Sequence, residues 1–267
     1  MRPRGERRPP WLLVVPGTLG ALFLALPLAG LLWAAPWGHL VELLARPASL
    51  AALRLSLVTA TAATAFSFVV GVPLAWLLAR APFRGRGLVR ALVTLPLVLP
   101  PVVGGVALLL AFGRRGLVGR YLYEWTGLSL PFTTAGVIVA ETFVAMPFLI
   151  VTVEGALRSM DRRLEDAAAT LGARRMLVLR RVTLPAIAPS LVAGAVLTWA
   201  RALGEFGATI TFAGNFPGRT QTMPLAVYVA LQTDLDGAIA LSVVLLVVSV
   251  VVLVLLRDRW LGGGAAR

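Results

Sequence analysis

Residues 166–185 read DAAATLGARRMLVLRRVTLP, a polar, Arg-rich stretch set between long apolar runs. Ala167, Ala168 and Ala169 are strong helix formers. Leu164, Ala168 and Leu171 fall at i, i+4 and i+7 and so share one helix face. Gly172 ends that helix by taking a left-handed backbone conformation. A second short basic helix is expected over 173–182, with Pro185 stopping it. A helix, a bend and a helix between two spans is more than a chain needs merely to cross a bilayer. The stretch is expected to lie outside the membrane and to be a docking element.

The surrounding composition sets the context. The 267 residues are 58% hydrophobic and 14% charged, against about 25% charged for an average soluble domain. Several runs exceed the ~20 residues that span a bilayer as helix, and they are continuous rather than alternating, which excludes a β-barrel. The expected fold is an all-α membrane protein of one domain with six transmembrane helices. The net charge is +13, and all 25 basic residues are Arg. In a soluble protein that balance would suggest nucleic acid; beside such apolar runs it marks the loops of one membrane face, and no nucleic-acid partner is expected. With no Cys and His39 as the lone His, thiol chemistry and a His-based metal cluster are excluded.

In chain order, residues 1–10 form a basic, Pro-rich tail. The first span follows at about 11–35, longer than a signal-peptide core, with Pro16 and Pro27 as kink positions, and then an outer loop to residue 49. The second span, 50–78, carries Ser56, Thr59, Thr61, Thr64 and Ser67, which either bond back to the helix or line a polar path. The third, 91–112, holds Pro96, Pro100, Pro101, Gly104 and Gly105 and cannot be a regular helix; broken helices in membranes line cavities or are covered by protein. Tyr121, Tyr123 and Trp125, in the loop 113–131, suit a membrane interface. The fourth span, 132–153, contains Glu141, either a functional carboxylate or one reaching headgroups, and Pro147, a kink position. The polar loop spans 155–185. The fifth span, 186–203, runs into GEFGATITFAGN (204–215), which reads as a re-entrant or partly unwound segment. The last span, 238–256, is expected to end at Arg257, Asp258 and Arg259, ahead of a tail at 257–267.

Six spans place both termini on one side. That side carries 18 of the 25 arginines, so both termini and the 166–185 stretch are expected in the cytoplasm.

Asp166-Ala167-Ala168, then Gly172, then Leu184-Pro185 twelve and thirteen residues after that Gly, resembles the EAA loop of ATP-binding-cassette (ABC) importer permeases. TLPLVLPPVVGG (94–105) and ARALGEFGATITFAGN (200–215) look like the molybdate permeases of the type I group, with sulfate/thiosulfate permeases as close relatives. The resemblance covers about 50–256 and implies a type I ABC importer transmembrane domain there, in a bacterial cytoplasmic membrane. It implies a homodimer, two ABC ATPase subunits that carry the ATP and Mg, and an extracytoplasmic binding protein delivering molybdate, tungstate or sulfate. This chain would bind no cofactor or metal and carry no catalytic residue. Coupling to the ATPase would fall to Glu165, Asp166, Ala167, Ala168, Gly172, Leu184 and Pro185, with the acidic part played by Asp166 or Glu165. The family places a gate or pathway at Gly204, Glu205, Phe206 and Gly207.

Arg201 and Glu205, at i, i+4, are also spaced as an ion pair. A carboxylate repels an anion, so gating or structure suits Glu205 better than binding. Arg201 is the more plausible group on the anion's side, with Thr209, Thr211 and Asn215 as neutral donors and Pro100 and Pro101 as pathway elements. An ion-coupled secondary transporter using Glu141 or Glu205 is the competing reading, but a stand-alone carrier needs no docking loop. An intramembrane enzyme lacks a nucleophile–base pair. The chain has no phosphate-binding glycine loop and cannot itself hydrolyse ATP.

Overall fold

The computed structural model describes residues 11–261, with side chains to residue 254. The expectations for residues 1–10 and 262–267 lie outside that range. Among the described residues all regular structure is helical, with no strand. Helix α1 (Trp11–Trp33) is continuous through both of its prolines. A short α2 (Leu40–Ala45) occupies the expected loop, and α3 (Pro47–Arg80), started by Pro47 in its first turn, is longer at both ends than 50–78. The third expected span is two helices, α4 (Arg86–Val98) and α5 (Pro101–Phe112), broken at Leu99 and Pro100. After them come α6 (Gly119–Thr126), inside the stretch read as loop, and α7 (Thr134–Ser159). The polar stretch holds α8 (Arg163–Thr170) and α9 (Arg175–Val178), followed by a π-helical turn over Leu179–Thr183. Helices α10 (Leu184–Leu203), α11 (Gly207–Ala213), α12 (Met223–Thr233) and α13 (Leu235–Leu261) complete the chain. Among the described residues, five helices are long and apolar enough to cross a membrane; the broken α4–α5 pair stands where the sixth was expected.

One expectation is corrected. Pro185 does not stop a helix: the chain is helical without interruption from Arg175 to Leu203. A proline inside an α-helix clashes with the carbonyl four residues back. The π turn just before Pro185 widens the ladder, with the Leu184 N–H bonding the Leu179 carbonyl five residues back, and so makes room for the ring. The last candidate span runs over Leu235–Val254, and the helix backbone continues past Arg257, Asp258 and Arg259 to Leu261. Flanking charges mark where a helix leaves the hydrocarbon, not where its hydrogen bonds stop.

The centre of the molecule is α3, α7 and α10. Their contact buries Ala75, Leu78, Leu149, Ile150, Val153 and Ile187. Lipid tails are as apolar as these side chains, so close packing rather than exclusion of water holds the helices together. Small residues make that possible. A Cβ on Gly71 would sit 3.2 Å from Ile150, and one on Gly194 would sit 3.0 Å from Leu149. On the face opposite the polar loop, Arg46 donates to Asp234 at 2.6 Å, and the Gly237 N–H bonds the same carboxylate at 3.0 Å. The Gly237 N–H first, and then Arg46, hold the Asp234 carboxyl below the usual Asp range.

Helices α5 and α11, far apart in sequence, approach closely. A Cβ on Gly105 would lie 2.7 Å from Thr211 Cβ and 2.9 Å from the Ala208 carbonyl oxygen. Gly105→Leu should therefore wedge the two helices apart at a cost of roughly 1–3 kcal/mol, read as a lower melting temperature of the detergent-solubilised protein. Gly87→Leu, where nothing lies within 4 Å, should leave the melting temperature unchanged.

Candidate functional site

Two groups of residues stand out, one in the polar loop and one where the helices are broken. In the loop, α8 buries no residue. Leu164 and Leu171 are exposed, and Leu171 at 89% is among the most exposed apolar side chains of the molecule. Ala167 is exposed and Ala168 half-buried, so that face is smooth and apolar. Gly172 has φ +83°, the left-handed conformation that glycine adopts without strain. Its N–H bonds the Ala169 carbonyl, and the Ala173 N–H bonds the Ala168 carbonyl. This is the paired closure that ends a helix with a sharp reversal.

The two acidic candidates diverge. Glu165 turns toward the spanning helices: Oε2 lies 3.1 Å from Arg80 Nη2, and Oε1 accepts a 2.7 Å hydrogen bond from the Thr183 hydroxyl. Asp166 is exposed and, among the described residues, has no ion pair or side-chain hydrogen bond. Leu184 and Pro185 stand at the start of α10, just after the π turn. Nearby, Glu154 on α7 is held by Arg90 at 2.5 Å and Arg158 at 3.2 Å, which ties the adjoining ends of α4 and α7 together.

The second group joins the two distinctive stretches, 94–105 and 200–215. Beyond the Gly105 contact, a Cβ on Gly207 would meet Pro101 Cβ at 2.9 Å. The two helix breaks thus lie side by side. Pro100 and Pro101 remain exposed on the outer surface of this contact. Arg201 and Glu205 do pair, at 2.7 Å. Glu205 is 1% exposed, and its other oxygen accepts the Ala208 N–H at 2.8 Å. It thereby caps the first turn of α11, where a carboxylate is favoured by the unpaired N–H groups. Gly204, exposed, gives the turn its open corner, and Phe206 packs on Tyr228 with ring centroids 5.3 Å apart.

The neutral donors do not form one site. Thr209 is fully buried, the Thr211 hydroxyl is spent on the Gly207 carbonyl, and Asn215 lies beyond the far end of α11. Glu141 is 1% exposed, so it does not reach headgroups; it accepts a 2.9 Å hydrogen bond from Thr59. Of the hydroxyls on α3, Thr64 and Ser67 bond back to their own helix. Ser56 instead accepts the Met223 N–H at the start of α12. Arg80 and Thr183 went unnoticed in the sequence; the signal available was a basic residue in the last turn of a span, next to a loop carrying a surplus carboxylate.

The pattern of the binding-protein-dependent transport system inner membrane component family matches residues 71–262. The chain belongs to that family. It is thus a multi-pass inner-membrane permease subunit of the ABC importer type. It is 49% identical to the molybdenum transport system permease protein ModB of Mycobacterium bovis over 244 residues, covering 91% of this chain and 92% of that one. Against the sulfate transport system permease protein CysT of Salmonella typhimurium it is 37% identical over 236 residues, covering 87% and 85%. A crystal structure of a bacterial ABC transporter that imports the acidic polysaccharide alginate superposes with a TM-score of 0.75 at 20% identity, covering 93% of each chain. That likeness establishes the shared fold of an importer's transmembrane subunit.

The Arg201–Glu205 pair supplies a test of the second group. Arg201→Ala leaves a buried carboxylate unpaired and should cost about 3–5 kcal/mol. Glu205→Gln keeps an acceptor for the Ala208 N–H and should cost less. Thermal unfolding of the two variants side by side checks the order.

Proposed function

We propose that the chain is the membrane subunit of a molybdate importer. Two copies would form the translocation path, two ABC ATPase subunits would bind ATP and Mg on the cytoplasmic face, and an extracytoplasmic binding protein would deliver the anion. The single observation that carries the choice of anion is the 49% identity to a molybdenum permease over nearly the whole chain, against 37% to a sulfate permease. Tungstate, which shares the charge and tetrahedral shape of molybdate, is expected to be carried as well.

The loop supports the coupling role. Its small, apolar outer face is exposed, its bend is set by a left-handed glycine, and Asp166 is exposed with no ion pair among the described residues. In this reading ATP draws the two ATPase subunits together, the α8 helices of the two permease copies follow, and the path opens outward. In this reading both termini and the loop lie in the cytoplasm, the side to which the arginine excess assigns them. The break where α5 meets α11 is the gate. Glu205 serves it structurally, and Arg201, half-exposed beside it, faces the path. An anion held tightly would not leave, so weak contacts suffice there.

Uptake of labelled molybdate into vesicles carrying the complete complex tests this reading. It should require ATP, survive collapse of the proton gradient and resist excess sulfate. Uptake driven by the proton gradient without ATP would overturn the importer mechanism, and strong competition by sulfate would overturn the anion. Gly172→Pro, which forbids the left-handed bend, and Ala168→Trp, which fills the docking face, should each abolish ATP-driven uptake while leaving membrane insertion normal. The checks are transport and membrane yield.

A further inference from the structure

The two neighbouring carboxylates of the loop are built for opposite tasks. Among the described residues, Glu165 makes the only side-chain hydrogen bonds and ion pairs that link α8 to the spanning helices. Its partners belong to different helices. Arg80 is the last residue of α3, and its side chain is 9% exposed. Thr183, 2% exposed, closes the π turn that feeds α10. The Arg80 guanidinium has no other carboxylate within ion-pair distance among the described residues, and neither its Nε nor its Nη2 has a hydrogen-bond partner, so its tie to Glu165 is one of charge. Removing Glu165 would therefore strand a buried cation, a costly change. The remaining charged groups that line the same cleft are Asp166 and Arg175, both exposed.

We propose that Glu165 is a positioning residue, clamped by Arg80 and Thr183, that joins α8 to α3 and α10 together, while Asp166 is left for the partner ATPase. The proposal rests on reading the loop as the ATPase coupling element. A push on α8 then moves α3 and α10 as one body. Without the clamp, α8 would still present its apolar face and Asp166, so docking would survive while the push was lost as local bending of the loop. Coupling and docking are thus separable, which a purely structural role for Glu165 would not allow.

The assembled permease–ATPase complex provides two readouts: the ATPase retained on affinity-purified permease, and the molybdate moved per ATP hydrolysed. Glu165→Ala should keep ATPase retention at the wild-type level and lower transport per ATP by about tenfold. Arg80→Ala should do the same, and the double variant should be no worse than either single one, because both remove one link. Glu165→Gln, which keeps an acceptor for Thr183, should fall in between. Asp166→Ala should lose retention instead.

Loss of the ATPase from Glu165→Ala, an unchanged ratio, or multiplying losses in the double variant would overturn the proposal. Should Arg80→Ala fail to reach the membrane, Thr183→Val removes the other contact: a reduced ratio supports the clamp and an unchanged ratio overturns it. If the wild-type complex moves no molybdate, the assignment of the anion fails rather than the clamp. The clamp is then read from an ATP-driven distance change between labels on α10, which Glu165→Ala should diminish and which, if undiminished, overturns it.

Discussion

In a chain that crosses a bilayer, two helix breaks here lie against each other. Hydrocarbon offers no partner for a freed N–H or carbonyl, so irregular backbone survives at that depth only where protein covers it. The break before α5 is made by Pro100 and Pro101, which have no N–H to leave unpaired. The break before α11 is closed by Glu205, which takes the Ala208 N–H, and by Arg201, which neutralises Glu205. Gly105 and Gly207 then let the two backbones approach to distances that any side chain would forbid. Each break depends on the other, and the pair forms a joint within an otherwise regular bundle.

The same long helices connect that joint to the polar loop. Helix α10 begins at the π turn beside Thr183 and ends at Gly204. Helix α3, about 50 Å long at 1.5 Å per residue, ends at Arg80 and carries Thr59, which bonds Glu141 on α7. With α7 packed between them, these helices form a stiff body with the loop at one end and the broken segments at the other. Such a body transmits displacement with little loss, because close-packed interiors shift between discrete arrangements rather than deforming smoothly. This mechanical continuity is what an importer driven by a separate ATPase requires.

Much of this was legible in the sequence, for identifiable reasons. Run lengths gave the spans, because hydrocarbon thickness fixes the number of apolar residues. Consecutive prolines at 100 and 101 announced the broken third span, and Gly172 announced the reversal of the loop. What stayed hidden depended on contacts between distant segments. Pro185 looked like a helix stop because the preceding π turn leaves no trace in local propensity. Arg80 went unnoticed, and its partner Glu165 looked like a substitute for Asp166, until the fold brought residues 80, 165 and 183 together. Glu141 could be read as reaching headgroups until α3 supplied Thr59. The contact between residues 94–105 and 200–215 had no local signature beyond the glycines that permit it.

Motion of the loop under ATP is the central requirement. The chain contains no Cys, so Leu171→Cys, at a highly exposed position of the polar loop, carries one spin label per copy. The distance between the two labels in the assembled complex, measured by pulsed electron resonance with and without ATP, tests it directly. Coupling through the loop predicts a shorter distance when ATP is bound and a return after hydrolysis. A distance that ignores ATP, in a complex that nevertheless transports, would contradict it.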